Sequence, residues 1–323
     1  MRFDMLRDKL HNIQENYPLA EFTTYHIGGP AKYFFDAVTD EDVVMAVQAA
    51  KEAKMQYFIL GGGTNILVSD AGFDGLVIRM NNAVIDIQGT KVRCGAGTLL
   101  PDFVQATIER SLSGLELLSG IGGTVGGAIR GNAGAFGKSI GDCVTRVWAF
   151  ENGAKREFSK QECGFEYRTS VFKRKNILVI SAELELEKGN GNELARLSRE
   201  TVQKREKRYD PRWKSAGCVF KNIDLSLVKI DEDRVMRALD VTEGEYREAT
   251  KHGKLPVSFI VDKLGLKGKK IGGAQVANEH GAFILNVNNA TSDHVIQLIS
   301  YIKMMVRDKL GIQLEEEIQL VGF

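Results

Sequence analysis

The stretch Gly120-Ile-Gly-Gly-Thr-Val-Gly-Gly-Ala-Ile-Arg-Gly-Asn-Ala-Gly-Ala-Phe-Gly137 decides how the fold of this chain is predicted. Eight of its eighteen residues are glycine, whereas average glycine usage is about 7%. Because glycine has no Cβ, the backbone N–H groups of such a loop can closely approach an anion such as a pyrophosphate. Tight turns between strands would have the same composition, so this stretch alone leaves both interpretations open.

Two further glycine loops favour a ligand site. Gly61-Gly-Gly-Thr-Asn65 directly follows a predicted buried strand at 56–60, and Gly95-Ala-Gly97 makes another turn. The first loop is not a P-loop, because no Gly-Lys-Ser/Thr closes it, and no Gly-x-Gly-x-x-Gly stands at a strand–helix junction as in a Rossmann fingerprint. Three glycine loops between residues 61 and 137 fit one long, phosphate-bearing ligand.

The composition is that of a globular chain of 323 residues, long enough for two or three domains. Its net charge of +1 argues against a general nucleic-acid-binding protein, and no apolar run reaches the length of a membrane-spanning helix. The charged, amphipathic N-terminus does not resemble a signal peptide. Cys94, Cys143, Cys163 and Cys218 lie far apart, so we expect free thiols in a reducing cytoplasm, with neither a zinc site nor a disulfide framework.

Local patterns predict several elements. Thr39 begins a helix whose first turn is acidic, and Asn152-Gly153 indicates a β-hairpin turn. A late helix is predicted over 292–310 and a final strand over 313–321. Asp210-Pro-Arg-Trp213 indicates a domain boundary.

Six motifs follow one another along the chain: Thr24-Tyr-His-Ile-Gly-Gly-Pro-Ala31, Gly61-Gly-Gly-Thr-Asn65, Gly126-Gly-Ala-Ile-Arg-Gly-Asn-Ala-Gly-Ala-Phe-Gly137, Glu166-Tyr-Arg-Thr-Ser170, Ser215-Ala-Gly-Cys-Val-Phe-Lys-Asn222 and Leu314-Glu-Glu-Glu-Ile318. In this order they resemble the UDP-N-acetylenolpyruvoylglucosamine reductase family over nearly the whole chain. Other FAD proteins of the vanillyl-alcohol-oxidase type share the glycine motifs, so the last three motifs carry the specificity. The short connection after Tyr167-Arg168 resembles the branch of the family without the extra tyrosine-bearing loop.

The resemblance implies an α+β fold. It comprises a two-lobed FAD-binding domain of the vanillyl-alcohol-oxidase (PCMH) type and a smaller C-terminal α/β substrate-binding domain. We expect the first domain over 1–208, with lobes of about 1–82 and 83–208, and the second over 209–323. The last strand, about 313–323, is expected to return to the FAD-binding domain.

The resemblance also implies a reaction. The family uses FAD to pass a hydride from NADPH to the enolpyruvyl group of UDP-N-acetylglucosamine enolpyruvate, which gives UDP-N-acetylmuramate for peptidoglycan. We therefore expect a cytoplasmic, monomeric enzyme with a small-molecule substrate, and no nucleic-acid, membrane or metal partner.

Three residues match the family's catalytic positions. Arg168 would stabilise the enolate, because its planar fork suits a carboxylate and stays charged. Cys218, where the family most often has serine, would donate a proton to the α-carbon, and a free thiol is a stronger acid than an aliphatic hydroxyl. Glu317 would donate to the developing charge. Strand alternation would put Glu315 on the same face, and Glu316 replaces the family's usual proline, so Glu315 stays an alternative.

The resemblance also implies two sets of binding residues. The expected cofactor-binding residues are Gly61, Gly62, Gly63, Thr64, Asn65, Gly122, Thr124, Gly126, Gly127, Asn132, Ala133 and Gly134. The expected substrate-binding residues are Tyr167, Lys221, Asn222 and His280.

The chain departs from the family pattern in the glycine stretch and in one long segment. Gly122 replaces a usual proline, and Arg130 introduces a cation near the expected flavin. Residues 224–254 are longer and more charged than in the family, which predicts a solvated helical insertion that is either a lid or decoration.

Two alternative functions remain open from the sequence. One is an FAD-dependent oxidase of the same fold, which would share the glycine loops but not the last three motifs. The other is an inactive protein that binds a flavin or a nucleotide sugar.

Overall fold

The computed structural model describes residues 2–323, with side chains from residue 6 onward. Its helices are α1 (Arg2–Lys9), α2 (Asp40–Glu52), α3 (Leu100–Glu109), α4 (Val125–Gly131), α5 (Lys160–Cys163), α6 (Val171–Arg174), α7 (Gly191–Glu206), α8 (Glu232–Leu239), α9 (Glu243–Thr250), α10 (Val257–Lys263) and α11 (Ser292–Leu310). Its strands are β1 (Gln14–Pro18), β2 (Pro30–Ala37), β3 (Tyr57–Leu60), β4 (Ile66–Val68), β5 (Phe73–Met80), β6 (Ile85–Gln88), β7 (Lys91–Gly95), β8 (Leu112–Ser113), β9 (Gly134–Ala135), β10 (Lys138–Ser139), β11 (Val144–Glu151), β12 (Ala154–Ser159), β13 (Leu178–Glu185), β14 (Glu187–Lys188), β15 (Ile223–Asp224), β16 (Lys254–Leu255), β17 (Lys270–Ile271), β18 (Ala274–Val276), β19 (Ile284–Asn286) and β20 (Gln319–Val321). None of these helices is both long and apolar enough to cross a membrane.

The chain forms two compact units. The first comprises residues up to 17, 31–63 and 73–207, and the second comprises 18–30, 64–72 and 208–323. The main boundary lies beside the predicted one, but two short N-terminal segments fold with the second unit instead of the first.

Hydrogen bonds explain why the second of these segments folds there. Strand β4 pairs in parallel with β20, and the side chain of Asp70 accepts hydrogen bonds from the N–H (2.7 Å) and hydroxyl (2.8 Å) of Ser292. The first segment joins it through the N–H of Gly29, which donates to the carbonyl of Ser69 at 2.8 Å.

The first unit contains two large sheets and two two-stranded ones, β9–β10 and β8–β14. One large sheet has the order β1-β2-β5-β3, in which β2 and β3 both run parallel to β5. Helix α2 begins as predicted: the Thr39 hydroxyl accepts from the N–H of Asp42, whose carboxylate accepts from the N–H of Thr39. The buried Val43 and Val47 of this helix belong to the same hydrophobic core as Leu76 of β5.

The second sheet of the first unit is antiparallel, with the order β12-β11-β13-β7-β6. The predicted hairpin at Asn152-Gly153 is confirmed, since both residues have positive φ (53° and 91°), as a two-residue hairpin turn requires.

The second unit surrounds its own core, to which α8, α9, α10 and α11 all contribute. Helix α11 has the predicted bounds. The charged segment 224–254 forms α8 and α9, and its Val235, Leu239 and Tyr246 are buried in this core. This segment is therefore helical as predicted, and it contributes to the packing of the unit.

The predicted final strand over 313–321 is wrong in its first part. Only Gln319–Val321 form a strand, whereas Phe220 and Glu316 make an isolated antiparallel bridge. The cause is a change of partner: 319–321 bond to β4, and 315–317 bond to 219–221. A chain that changes partner within a few residues cannot continue one ladder.

Candidate functional site

Two glycine loops of the first unit contact each other through their backbones. A Cβ on Gly61 would lie 2.8 Å from Oγ1 of Thr124, and one on Gly62 would lie 2.7 Å from Cα of Gly123. Contacts this close exclude any side chain. The loops that the sequence predicts to share a ligand, at 61–63 and 122–127, are therefore neighbours.

Several N–H groups here suit an anion, and others are already bonded. In the part of the chain that the structure describes, the N–H groups of Gly62 and Gly123 have no hydrogen-bond partner. The N–H of Gly126 donates to Ala96 (2.9 Å), and that of Gly127 donates to Oγ1 of Thr124 (3.3 Å). Unpaired loop N–H groups without a Cβ in front of them fit the pyrophosphate of a dinucleotide cofactor.

The end of α4 leads into the next predicted cofactor residues. Asn132 caps the helix with φ 45°, and its side chain donates to the carbonyl of Glu166 (3.0 Å) and accepts from the N–H of Gly141 (3.1 Å). Ala133 donates to the carbonyl of Ala128 (2.8 Å), and Gly134 pairs with Ser139 in the β9–β10 hairpin. These bonds fix the backbone that follows the glycine stretch.

Arg168 lies in a two-residue turn closed by reciprocal hydrogen bonds between Glu166 and Thr169 (3.1 and 3.2 Å). It has φ 56°, a left-handed conformation that is costly for a residue with a Cβ. Its Nη1 donates to the carbonyl of Gly134 (3.2 Å), and its guanidinium carbon lies 5.7 Å from the ring centroid of the half-exposed Tyr167. The strained turn thus holds the predicted catalytic arginine beside the predicted cofactor loop.

Arg130, the unusual cation of the glycine stretch, is half-buried. Burial lowers the pKa of its guanidinium, and its Nη2 donates to Oδ1 of Asn176 (3.3 Å). Its carbonyl accepts a hydrogen bond from the Ser170 hydroxyl at 2.7 Å. This contact ties α4 to the segment that follows Arg168.

Cys218 of the second unit begins an extended segment after a sharp turn at Gly217, where φ is 78°. It forms an isolated antiparallel bridge with Phe283, and the N–H of Val219 donates to the carbonyl of Ala282 (2.9 Å). The half-buried thiol packs against a small apolar cluster that includes Phe283, with Tyr209 and Trp213 against the same cluster. The side of the segment next to the thiol is therefore apolar.

Glu317 is held by its backbone next to this segment. Its N–H donates to the carbonyl of Val219 (2.7 Å), and its own carbonyl accepts from Nδ2 of Asn65 (3.1 Å). Cys218 precedes Val219, so the predicted proton donor and the predicted carboxyl lie on adjacent, paired segments of one unit.

The other two glutamates of the run form ion pairs. Glu315 pairs with Lys221, and Oε1 of Glu316 lies 2.6 Å from Nζ of Lys303 on α11. These contacts favour Glu317 over Glu315 as the residue with a role in chemistry, because the carboxylate of Glu315 is exposed and neutralised by a lysine.

The loop at 61–65 crosses from the first unit to the second between Gly63 and Thr64. Asn65, predicted to bind the cofactor, also makes bonds within the chain: besides its bond to Glu317, its carbonyl accepts from the N–H of Gln319 (2.9 Å). Its side chain therefore positions the C-terminal segment.

The three predicted substrate-binding residues of the second unit make internal contacts. Lys221 pairs with Glu315, and Oδ1 of Asn222 accepts from the N–H of Val257 (3.2 Å) at the start of α10. Nδ1 of His280 accepts from the N–H of Ala282 (3.3 Å). Burial, followed by the charge of Arg208, lowers the pKa of His280, which favours its neutral form.

Sequence reasoning missed two supporting residues. Lys303 lies in the middle of α11, where helical periodicity marks it only as polar. Asn82 is buried, accepts from the N–H of Gly97 (2.8 Å) and donates to the carbonyl of Ile180 (2.9 Å), which holds the third glycine turn. Neither position carries a local motif. Within residues 2–323, no three His, Cys, Asp or Glu side chains form a group able to hold a metal ion.

Comparison with family models assigns a different domain type to each part of the chain. The model described as UDP-N-acetylenolpyruvoylglucosamine reductase, C-terminal domain, matches residues 209–321, and an FAD binding domain matches residues 31–151. The two matches confirm the predicted pair of domain types.

Similar proteins match from end to end. The UDP-N-acetylenolpyruvoylglucosamine reductase of Solibacter usitatus is 37% identical over 96% of this chain and 97% of its own. That of Carboxydothermus hydrogenoformans is 36% identical over 96% and 94%. The crystal structure of the Thermus caldophilus reductase matches with a TM-score of 0.72 and 30% identity, over 96% of this chain and 98% of that one.

Proposed function

Because the chain belongs to the UDP-N-acetylenolpyruvoylglucosamine reductase family, we propose that it reduces the enolpyruvyl group of UDP-N-acetylglucosamine enolpyruvate. The product is UDP-N-acetylmuramate, the reductant is NADPH, and the product serves peptidoglycan synthesis. The observation that carries this proposal is the end-to-end similarity at 37% identity, which covers both units.

The glycine loops of the first unit would hold FAD. When bound, FAD would supply the hydride-transfer chemistry between NADPH and the β-carbon of the enolpyruvyl ether. The residues fit this cofactor, since the two glycine loops meet at Gly61 and Gly62 with no side chain between them and the unpaired N–H groups of Gly62 and Gly123 suit its pyrophosphate. The first unit would form the cofactor domain and the second unit the substrate domain.

Arg168 would bind the substrate carboxylate and stabilise the enolate that hydride addition creates. The planar guanidinium remains charged and matches a carboxylate with two parallel hydrogen bonds. Negative charge increases on this fragment as the reaction proceeds, so the contact is stronger in the transition state than in the ground state. The costly φ of 56° supports a role that outweighs backbone strain.

Cys218 would complete the reaction as an acid. Its S–H donates a proton to the α-carbon, the enolate collapses to the carboxylate, and the thiolate regains a proton from solvent. Glu317 would interact with the enolate from the adjacent segment. Tyr167, Lys221, Asn222 and His280 would bind the substrate or NADPH.

The remaining properties follow from the proposed role. We propose a cytoplasmic location, because all four cysteines are free and the proposed donor is a reduced thiol. The near-neutral charge of the chain supports the proposal that it binds no nucleic acid. We propose a monomer.

Anaerobic mixing tests the function. The purified yellow protein should lose its flavin absorbance with NADPH and regain it when the enolpyruvyl nucleotide sugar is added. Absence of bleaching by NADPH would favour an inactive binding protein. Return of colour only with oxygen would favour an oxidase.

Variants at Cys218 test the proton donor. Cys218→Ser should retain much of the activity, whereas Cys218→Ala should keep NADPH-dependent bleaching and lose about 10²- to 10⁴-fold in substrate turnover. Parental turnover by Cys218→Ala would rule out the thiol as the acid.

A further inference from the structure

We propose that Lys303 is a positioning residue: through its ion pair with Glu316 it holds the segment that carries Glu317 at the place where Glu317 acts. This inference rests on the proposed role of Glu317. It concerns a residue that neither touches the reacting groups nor belongs to any of the motifs described above.

The segment around Glu317 has little backbone support of its own. Phe220 and Glu316 form an isolated bridge, flanked by a bond from the N–H of Glu317 to Val219 (2.7 Å) and one from the N–H of Lys221 to Glu315 (2.9 Å). Regular pairing resumes only at Gln319. Besides these two ladder bonds, Nδ2 of Asn65 donates to the carbonyl of Glu317 (3.1 Å), so side chains add to the restraint of this short segment.

The Lys303–Glu316 pair supplies that restraint. Nζ of Lys303 lies 2.6 Å from Oε1 of Glu316, and the two side chains are only 28% and 30% exposed. Lys303 follows Ile302 and precedes Val306 on α11, and both apolar residues are buried in the core of the unit. Lys303 therefore lies on a helix that is packed into the core, and partial burial reduces the screening of its charge by solvent and salt.

The neighbouring pair cannot do the same. Glu315 pairs with Lys221, but Lys221 belongs to the ladder that itself needs support, and Glu315 is 72% exposed. The Lys303–Glu316 pair links this segment to α11. The restraint thus comes from outside the two paired segments.

A surface cavity lies beside the pair. It has a volume of about 240 Å³ and is lined by Ser300, Lys303, Met304, Arg307, Gln313 and Glu316. Because solvent reaches the ion pair from this side, we expect loss of the lysine to displace Glu317 without unfolding the unit.

The test measures two half-reactions separately, namely bleaching of the flavin by NADPH and return of its colour with the enolpyruvyl substrate. Lys303→Met should leave the rate of NADPH-dependent bleaching and the KM for NADPH at parental values. The rate at which the enolpyruvyl substrate restores the colour should fall about tenfold, because a small misplacement of a reacting group slows its step strongly.

The variant Lys303→Arg, which can still pair with Glu316, should restore most of that rate. Lys251→Met, which removes an exposed lysine paired with Glu248 on α9, is the matched control and should match the parent in both halves.

A charge reversal keeps the test decisive if Lys303→Met folds poorly. The double variant Lys303→Glu with Glu316→Lys should recover more of the substrate-dependent rate than either single change. Equal rates for Lys303→Met and the parent, or an equal fall in both halves, would overturn the inference. Glu317→Gln distinguishes failure of the proposed function of Glu317 from failure of the positioning role of Lys303. Parental activity of Glu317→Gln would refute the role of Glu317 itself. Loss of activity in Glu317→Gln together with normal activity in Lys303→Met would refute only the positioning role.

Discussion

In the first unit, the loops at 61–63 and 122–127 meet backbone to backbone at Gly62 and Gly123, whereas in the second unit Glu315 and Glu316 form ion pairs with two lysines. The first arrangement requires glycine at positions 61 and 62, where a Cβ would lie less than 3.0 Å from the facing loop. The second needs particular side chains, and several substitutions can imitate them. Sensitivity to mutation should therefore be steric and abrupt in the glycine loops, but electrostatic and graded in the glutamate segment.

The largest effect should come from Gly62→Ala. Its Cβ would lie 2.7 Å from Cα of Gly123, so the two loops must separate. We expect loss of bound FAD and a fall of about 2 to 3 kcal/mol in the free energy of unfolding. Flavin absorbance after gel filtration and urea unfolding measure the two quantities.

Gly131→Ala is the matched control for the glycine loops. Nothing lies within 4 Å of its Cβ, and it occupies the last turn of α4. It should retain FAD and gain about 0.5 to 1 kcal/mol in stability. If Gly62→Ala behaved like this control, the steric account of the first unit would fail.

The next largest effect concerns Arg168, where backbone strain and charge coincide. Both Arg168→Ala and Arg168→Gly should lower kcat about 10²- to 10³-fold, because the enolate loses its cation. The glycine variant should be about 1 kcal/mol more stable than the alanine variant, since only glycine accepts φ 56° without cost. Steady-state kinetics and urea unfolding of both variants provide the comparison, and equal stabilities would contradict the strain.

A smaller, favourable effect is expected from Tyr25→Phe in the second unit. The Tyr25 hydroxyl is fully buried and has no hydrogen-bond partner within residues 2–323, and burial raises its pKa. Removing an unpaired buried hydroxyl should raise the free energy of unfolding by about 1 kcal/mol. A destabilised variant would reveal a bond to this hydroxyl. A stabilised Tyr25→Phe variant would also show that this buried hydroxyl does not stabilise the second unit, in contrast to the ion pairs at Glu315 and Glu316.

The smallest effect should be a pH-dependent one at Glu245, which tests whether charge also holds α9. Lys263, followed by Thr242, lowers the pKa of this carboxyl from 4.5 to about 2. A lowered native pKa gives a stabilisation that is present above pH 4.5 and is lost as the pH falls toward 2. The Tm difference between the parent and Glu245→Gln should therefore shrink over that range, and a constant difference would contradict the linkage.

Much of the framework was predictable because its signals are local. The capping pattern at Thr39, the Asn152-Gly153 turn and the bounds of α11 depend on residues within a few positions of one another. The glycine loops were found for the same reason, since the absence of side chains is visible in the sequence itself.

The rest depends on contacts between distant residues. Nothing near Glu316 indicates that it bonds to Lys303 while its neighbours pair with 219–221, so the predicted strand over 313–321 was too long. Likewise, nothing in the loop at 61–65 indicates that the side chain of Asn65 bonds to the carbonyl of Glu317. Such pairings are decided by tertiary packing, which local periodicity does not encode.

The pairing of β4 with β20 means that β4 is synthesised long before the strand with which it pairs. Ile66 lies opposite Gln319, so the first strand leaves the ribosome some 250 residues before its partner exists. At ordinary elongation rates this is a wait of roughly 13 to 50 s. During that time Ile66, Leu67 and Val68, which are all buried in the finished protein, are without their strand partner. The nascent chain must therefore keep these three apolar residues from aggregating until residues 319–321 have been made.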